Sequence, residues 1–124
     1  MSDQTLFEHV GGFPFFDTLV DRFYEGVEGD PPMRALYPED LKPGKRALSL
    51  FLGQYFGGPT TYSDEKGHPR LRMRHVSFRI TEVERASWLK HMSAAVVAAE
   101  LDATAETAML DYFTMAAQHL INAE

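Results

Sequence analysis

The sequence predicts an all-α fold, and three observations carry that prediction. Apolar residues recur at helical spacing in four stretches. Gly and Pro separate those stretches cleanly. The one strand-like run, Val76 to Ile80, has no partner with which to build a sheet.

The elements follow in order. Thr5 and Glu8 make a capping-box pattern, so a short helix runs from Thr5 to Val10 and stops at Gly11-Gly12. Pro14 suits the first turn of the next helix, whose Phe15, Phe16, Leu19, Val20, Phe23 and Val27 form one face before Gly29 closes it. Asp30-Pro31-Pro32 opens a brief helix through Leu36, ended by Pro38. Pro43 to Phe56 is amphipathic through Leu48, Phe51, Leu52 and Tyr55, with Gly57-Gly58-Pro59 as its stop. Thr60 to His68 reads as polar loop and Pro69 to Val76 as a short helix. A second capping box, Thr81 and Glu84, starts a long helix with Trp88, Met92, Ala95, Val96 and Ala99 on one face. The last helix spans about Thr104 to Ile121, with Met109, Tyr112, Phe113, Ala116 and Leu120 inward. All 124 residues are expected to form a single domain.

The totals exclude several function classes. Twelve Lys/Arg against eighteen Asp/Glu give a formal charge of −6, which argues against nonspecific binding to nucleic acid or anionic membrane. Without cysteine there is no disulfide, thiolate zinc site, iron–sulfur cluster or Cys nucleophile. No basic leader and no long apolar run are visible, so the expected location is the cytoplasm, with no membrane partner.

One run departs from this acidic background. From Lys66 to Arg79 inclusive there are five cations and no acid, four of them in GHPRLRMRHVSFRI (Gly67 to Ile80), with His75 after Arg70, Arg72 and Arg74. The five histidines do not form a helical His-Glu-x-x-His zinc motif, and no serine sits in a nucleophile elbow. A site that needs one protein histidine and takes its other ligands elsewhere fits better. Haem iron is such a site: the porphyrin supplies four nitrogens, a His the fifth, and cations suit the two propionates. On a short helix the Leu71 carbonyl could accept the other ring N–H of His75. The run by itself also fits a solvated face or an anion-binding patch. His9, His91 and His119 read as structural or surface residues.

Several segments together resemble the group II truncated haemoglobins, two-over-two helical globins. They are RFYEGV (Arg22 to Val27), LYPED (Leu36 to Asp40), FLGQYFGGPTTYS (Phe51 to Ser63), the His75 run and ERASWLKHM (Glu84 to Met92), in that order. The resemblance implies a globin-like sandwich around haem b, iron protoporphyrin IX, with His75 as the proximal ligand. It makes Tyr24, Tyr37 and Trp88 a polar distal cage, with Gly44 at the distal gate and Leu48 beside it. Phe51, Leu52, Tyr62, Leu71, Arg74, Phe78, Ile80 and Met92 would line the pocket. Ala47 stands where a basic propionate partner is expected, which leaves Arg46, Arg70, Arg72 or Arg74 for that task.

The implied function is binding of O2, NO and CO at ferrous haem, for redox detoxification or sensing rather than bulk transport. NO dioxygenase-like or peroxidase-like activity, a reductase or other electron donor, and a homodimer are compatible with it. The rival reading is a non-haem helical module whose Arg-rich patch holds an anionic ligand or an acidic partner.

Overall fold

The computed structural model describes residues 4–68 and 80–121, and every regular element among them is helical. The helices are α1 (Leu6–Val10), α2 (Phe13–Glu28), α3 (Pro31–Arg34), α4 (Lys42–Tyr55), α5 (Thr61–Lys66), α6 (Glu82–Ala98) and α7 (Ala103–His119). The expected helix over Pro69 to Val76 and the strand-like run after it lie outside the described residues, apart from Ile80, which is irregular.

Local chemistry sets most boundaries. Both expected capping boxes form, Thr5 with Glu8 and Thr81 with Glu84, satisfying backbone N–H groups that a helix start leaves orphaned. Gly11 ends α1 in the left-handed region at φ 107°, which costs a glycine little. Helix α7 starts at Ala103, because the Asp102 carboxylate accepts from the Ala105 N–H while also holding His9 at 2.6 Å.

The segment Thr60 to His68 is a correction. It was expected to be loop, yet Thr61–Lys66 is helical. The Gln54 side chain receives the Ser63 N–H at 3.0 Å and donates to the Ser63 hydroxyl at 2.7 Å. Tyr62 buries its ring edge-on against Phe51, with centroids 5.5 Å apart. A polar sequence therefore hides one anchoring side chain and a clamp supplied from α4.

Helix α2 packs on both α4 and α6, and α6 packs on α7, so two helix pairs meet through α2 and α6. Phe16, Leu19, Val20, Phe23 and Val27 from α2 are buried with Leu52, Met92, Val96, Met109 and Phe113. Burying each such side chain is worth roughly 1.5–3 kcal/mol relative to leaving it in water. Beyond this core, Phe7 stacks on Phe16 and Phe16 on Phe56, both with centroids 5.9 Å apart. The Phe7 N–H donates to the Phe56 carbonyl at 2.9 Å, fastening α1 to the end of α4.

That junction has no spare volume. A Cβ on Gly58 would lie 2.6 Å from the Phe7 ring and 2.8 Å from the Gly53 carbonyl oxygen. Gly58→Ala is therefore expected to destabilise the fold by about 1–3 kcal/mol, read as a lowered urea midpoint at unchanged slope.

Candidate functional site

Adjacent residues of α2 serve core and hollow together. Phe23 and Tyr24 are both buried in the core, and both line a hollow between α2, α4, α6 and α7. Edge-on aromatic contacts carry the arrangement outward: Phe23 to Tyr24 at 5.3 Å, Tyr24 to Tyr37 at 5.6 Å, and Trp88 to Phe113 at 5.9 Å between centroids. Trp88 also lies 5.6 Å from Phe23. Residues from α2, from the turn after α3 and from α6 thus meet at one place.

The hollow has two lobes. One, of about 280 Å³, is lined by Met33, Leu36, Ile80 and Leu120, with Pro38, Glu84 and Arg85 among its other lining residues. The other, of about 290 Å³, is lined by Leu48, Phe51, Leu52, Tyr62, Phe113 and Ala116 together with Ala47 and Tyr112. Tyr24, Tyr37, Gly44, Trp88 and Leu120 border both. Of the charged residues on its border, Glu84 accepts from the Thr81 N–H at 2.7 Å and Arg85 pairs with Glu82 at 2.6 Å.

Three donors face this apolar space. The Tyr24 and Tyr37 hydroxyls and the Trp88 indole N–H have no protein hydrogen-bond partner among the described residues. Nor is any of these polar atoms sealed inside protein, and all three residues line the hollow. Burial pushes the Tyr24 phenol up, and pushes Tyr37 far higher, with Tyr24 as a second cause. Both phenols therefore keep their protons and remain donors at neutral pH.

Gly44 permits this placement. A Cβ there would stand 2.9 Å from the Tyr24 hydroxyl oxygen, so any side chain would press on that group. Lys45, the next residue, sits 5.8 Å from the Tyr24 ring centroid and pairs with Asp21 at 3.6 Å.

The residues singled out from the sequence fall into three sets. Tyr24, Tyr37, Trp88, Gly44, Leu48, Phe51, Leu52, Tyr62 and Ile80 all border the hollow. Met92 and Arg46 do not. Met92 is fully buried in the core, and Arg46 makes a two-pronged pair with Glu65 at 2.7 and 2.8 Å, joining α4 to α5. His75, Leu71, Phe78, Arg70, Arg72 and Arg74 lie outside the described residues. Met33 and Leu36 were missed, although their three-residue spacing around a short helix marks one apolar face.

Apolar walls with unsatisfied donors clustered at one part fit a flat apolar group that presents a polar ligand on one face. A haem carrying a diatomic gas meets that description.

Comparison with known proteins agrees. A family model described as bacterial-like globin matches residues 5–122. A haemoglobin structure from Chloroflexus aurantiacus is 51% identical, with a TM-score of 0.94 over 97% of this chain and 99% of that one. A structure described as a truncated oxygen-avid haemoglobin from Bacillus subtilis is 34% identical, with a TM-score of 0.90 over 96% and 100% of the two chains. The group 2 truncated hemoglobin YjbI of Bacillus subtilis is 36% identical over 111 residues, 90% of this chain and 84% of that protein.

The phenols supply a test of the geometry. Their folded-state values are raised above the ordinary 10.0. Their contribution to stability is thus intact below that value and lost as pH rises through the folded values. Alkaline titration followed by phenolate absorbance should show a late-ionising fraction that shrinks in Tyr37→Phe. A titration identical to the parent's would place Tyr37 in water instead.

Proposed function

Because the chain belongs to the group II truncated haemoglobins, which implies a haem cofactor and binding of diatomic gases, we propose that Tyr24, Tyr37 and Trp88 form a polar cage that retains O2. In this reading His75 is the proximal ligand and Gly44 the distal gate. Leu48, Phe51 and Leu52 hold the ring's apolar face. Tyr62 and the Arg70, Arg72 and Arg74 side chains are assigned to the propionates. Arg46 is a poorer candidate, since Glu65 already occupies its guanidinium.

The haem supplies an iron centre at which a gas binds; the chain supplies the surroundings that decide how long it stays. The observation that carries the proposal is the set of three donors from separate segments, without a protein partner among the described residues and on residues that border one hollow. Bound O2 carries partial negative charge, so a donor to it is worth ~1.5–3 kcal/mol. The apolar walls strengthen such bonds by keeping water away. Slow release suits a poor carrier, and it points to redox detoxification of NO or peroxide, or to sensing. The description of the Bacillus subtilis relative as oxygen-avid supports the same direction.

Loss of one effective donor should speed O2 release by roughly ten- to a hundred-fold. CO, which is less polar, should respond much less. Trp88→Phe is expected to give the largest O2 effect, because an indole N–H only donates. Stopped-flow release of O2 and CO from Tyr24→Phe, Tyr37→Phe and Trp88→Phe measures the contrast. Parent-like O2 rates in all three would sink the cage.

His75→Ala is expected to lose the parent's ferrous spectrum and recover it on adding imidazole. An unchanged spectrum would move the ligand elsewhere, for instance to His68. A protein that stays colourless after haem supplementation would instead favour the rival anion-binding module.

A further inference from the structure

Tyr37 follows a helix of only four residues, too short to hold its own shape, so its place beside the hollow needs an outside anchor. That anchor starts one turn along α6 from Trp88, at His91. His91 Nε2 lies 2.8 Å from Asp30 Oδ2, and the two side chains are only 13% and 24% exposed. An ionised carboxylate only accepts, so the ring N–H donates. From Asp30 two backbone bonds lead on. The Arg34 N–H donates to the Asp30 carbonyl at 2.8 Å, and the Tyr37 N–H to the Arg34 carbonyl at 3.1 Å. The Arg34 guanidinium closes the turn by donating to the Tyr37 carbonyl at 3.3 Å.

A third element meets the same imidazole. A Cβ on Gly26 of α2 would stand 2.5 Å from His91 Nδ1 and 2.9 Å from its Cγ. Alanine would favour α2 as a helix by about 1 kcal/mol, so the glycine is explained by the ring it admits. We propose that the Asp30–His91 pair, seated on Gly26, is a positioning device for gas retention: it sets Tyr37 against Trp88, and the rate of O2 release depends on it through Tyr37. The proposal rests on the cage reading above, and adds three residues that do not line the hollow.

The physical reason is the steepness of a hydrogen bond with distance. A donor shifted by about 1 Å from its best separation no longer bonds, so a small displacement of Tyr37 is enough to lose it. Trp88 moves with α6, and Tyr37 moves with the short segment that Asp30 begins. Only a link between the two keeps both donors in reach of one bound molecule. Because the pair is mostly withdrawn from water, removing either partner leaves the other without its bond in a poorly solvated place, and the segment shifts to recover one.

The test measures O2 and CO release from the haem-loaded Asp30→Ala, His91→Ala and Gly26→Ala proteins, each alone and combined with Tyr37→Phe. Each single substitution should speed O2 release roughly three- to ten-fold and leave CO release within about two-fold of the parent. Combined with Tyr37→Phe, each should add less than about two-fold, because the group it positions is gone. Asp30→Asn keeps an oxygen acceptor for the ring N–H and should release O2 near the parent rate. Gly26→Ala removes no polar group, so it probes position even where loss of Asp30 or His91 costs the fold. A Soret band and cooperative thermal unfolding identify the folded variants. Parent-like O2 release from them, while Tyr37→Phe still releases faster, overturns the positioning role and leaves the cage standing. Equal acceleration with and without the Tyr37 hydroxyl also overturns it. If Tyr37→Phe itself releases O2 at the parent rate, Tyr37 leaves the cage and the positioning role falls with it.

Discussion

The rest of the structure depends on the burial of α2 against α4 and α6 at once. One helix face supplies Phe16, Leu19, Val20, Phe23 and Val27 to the core, with none of them more than 1% exposed. The same helix carries Tyr24 one residue after Phe23, so the packing that stabilises the fold also aims a phenol at the hollow. A shift of α2 that loosened the core would move the donor with it. The binding geometry is thus held by apolar burial, a larger and less salt-sensitive force than any surface ion pair in this chain.

That arrangement carries a cost. Three hydrogen-bond donors are kept beside apolar walls with no protein acceptor among the described residues, and groups of this kind destabilise a fold when nothing binds them. The hollow itself forgoes packing that a closed core would have. Both penalties are relieved when a flat apolar group and a polar ligand enter, so the empty fold should be the weaker one and binding should add to its stability. Gly44 belongs to the same logic. A side chain there would fill space and favour α4 as a helix, but it would displace the Tyr24 hydroxyl.

Much of this was legible in the sequence, for reasons that can be named. Capping boxes and glycine stops are local, so Thr5 with Glu8 and Thr81 with Glu84 announced their helices. Helical spacing identified the buried faces of α2, α6 and α7. Helix α5 was not legible, because its support is not local: Gln54 and Phe51 come from α4, and no pattern within Thr60 to His68 records them. The partner of Arg46 was hidden for a similar reason. The arginine's charge was visible, but the acid that claims it lies nineteen residues away on α5. Family resemblance brought together Tyr24, Tyr37 and Trp88, which no spacing rule could have joined. It does not reveal Met33 and Leu36, whose part in the hollow follows from how α3 folds over it.

The segment bearing Tyr37 shows how a stretch with little helix can still place a side chain firmly. At its start the Asp30 carboxylate meets His91 of α6 at 2.8 Å, one turn beyond Trp88. At its end the Arg34 guanidinium donates to the carbonyls of Tyr37, Pro38 and Glu39. Between these anchors Met33 is buried in the core. The His91 hydrogen bond is the largest reason that Asp30 titrates below the usual carboxylate range. A depressed carboxylate contributes its stability above its unfolded value and loses it only as pH falls through the folded one, so the anchor persists across neutral pH. Gly26 completes the support, since a Cβ there would come within 2.5 Å of the His91 ring. Tyr37 is thus fixed relative to Trp88 through Asp30, Arg34 and His91, none of which lines the hollow, and residues beyond the site become part of its geometry.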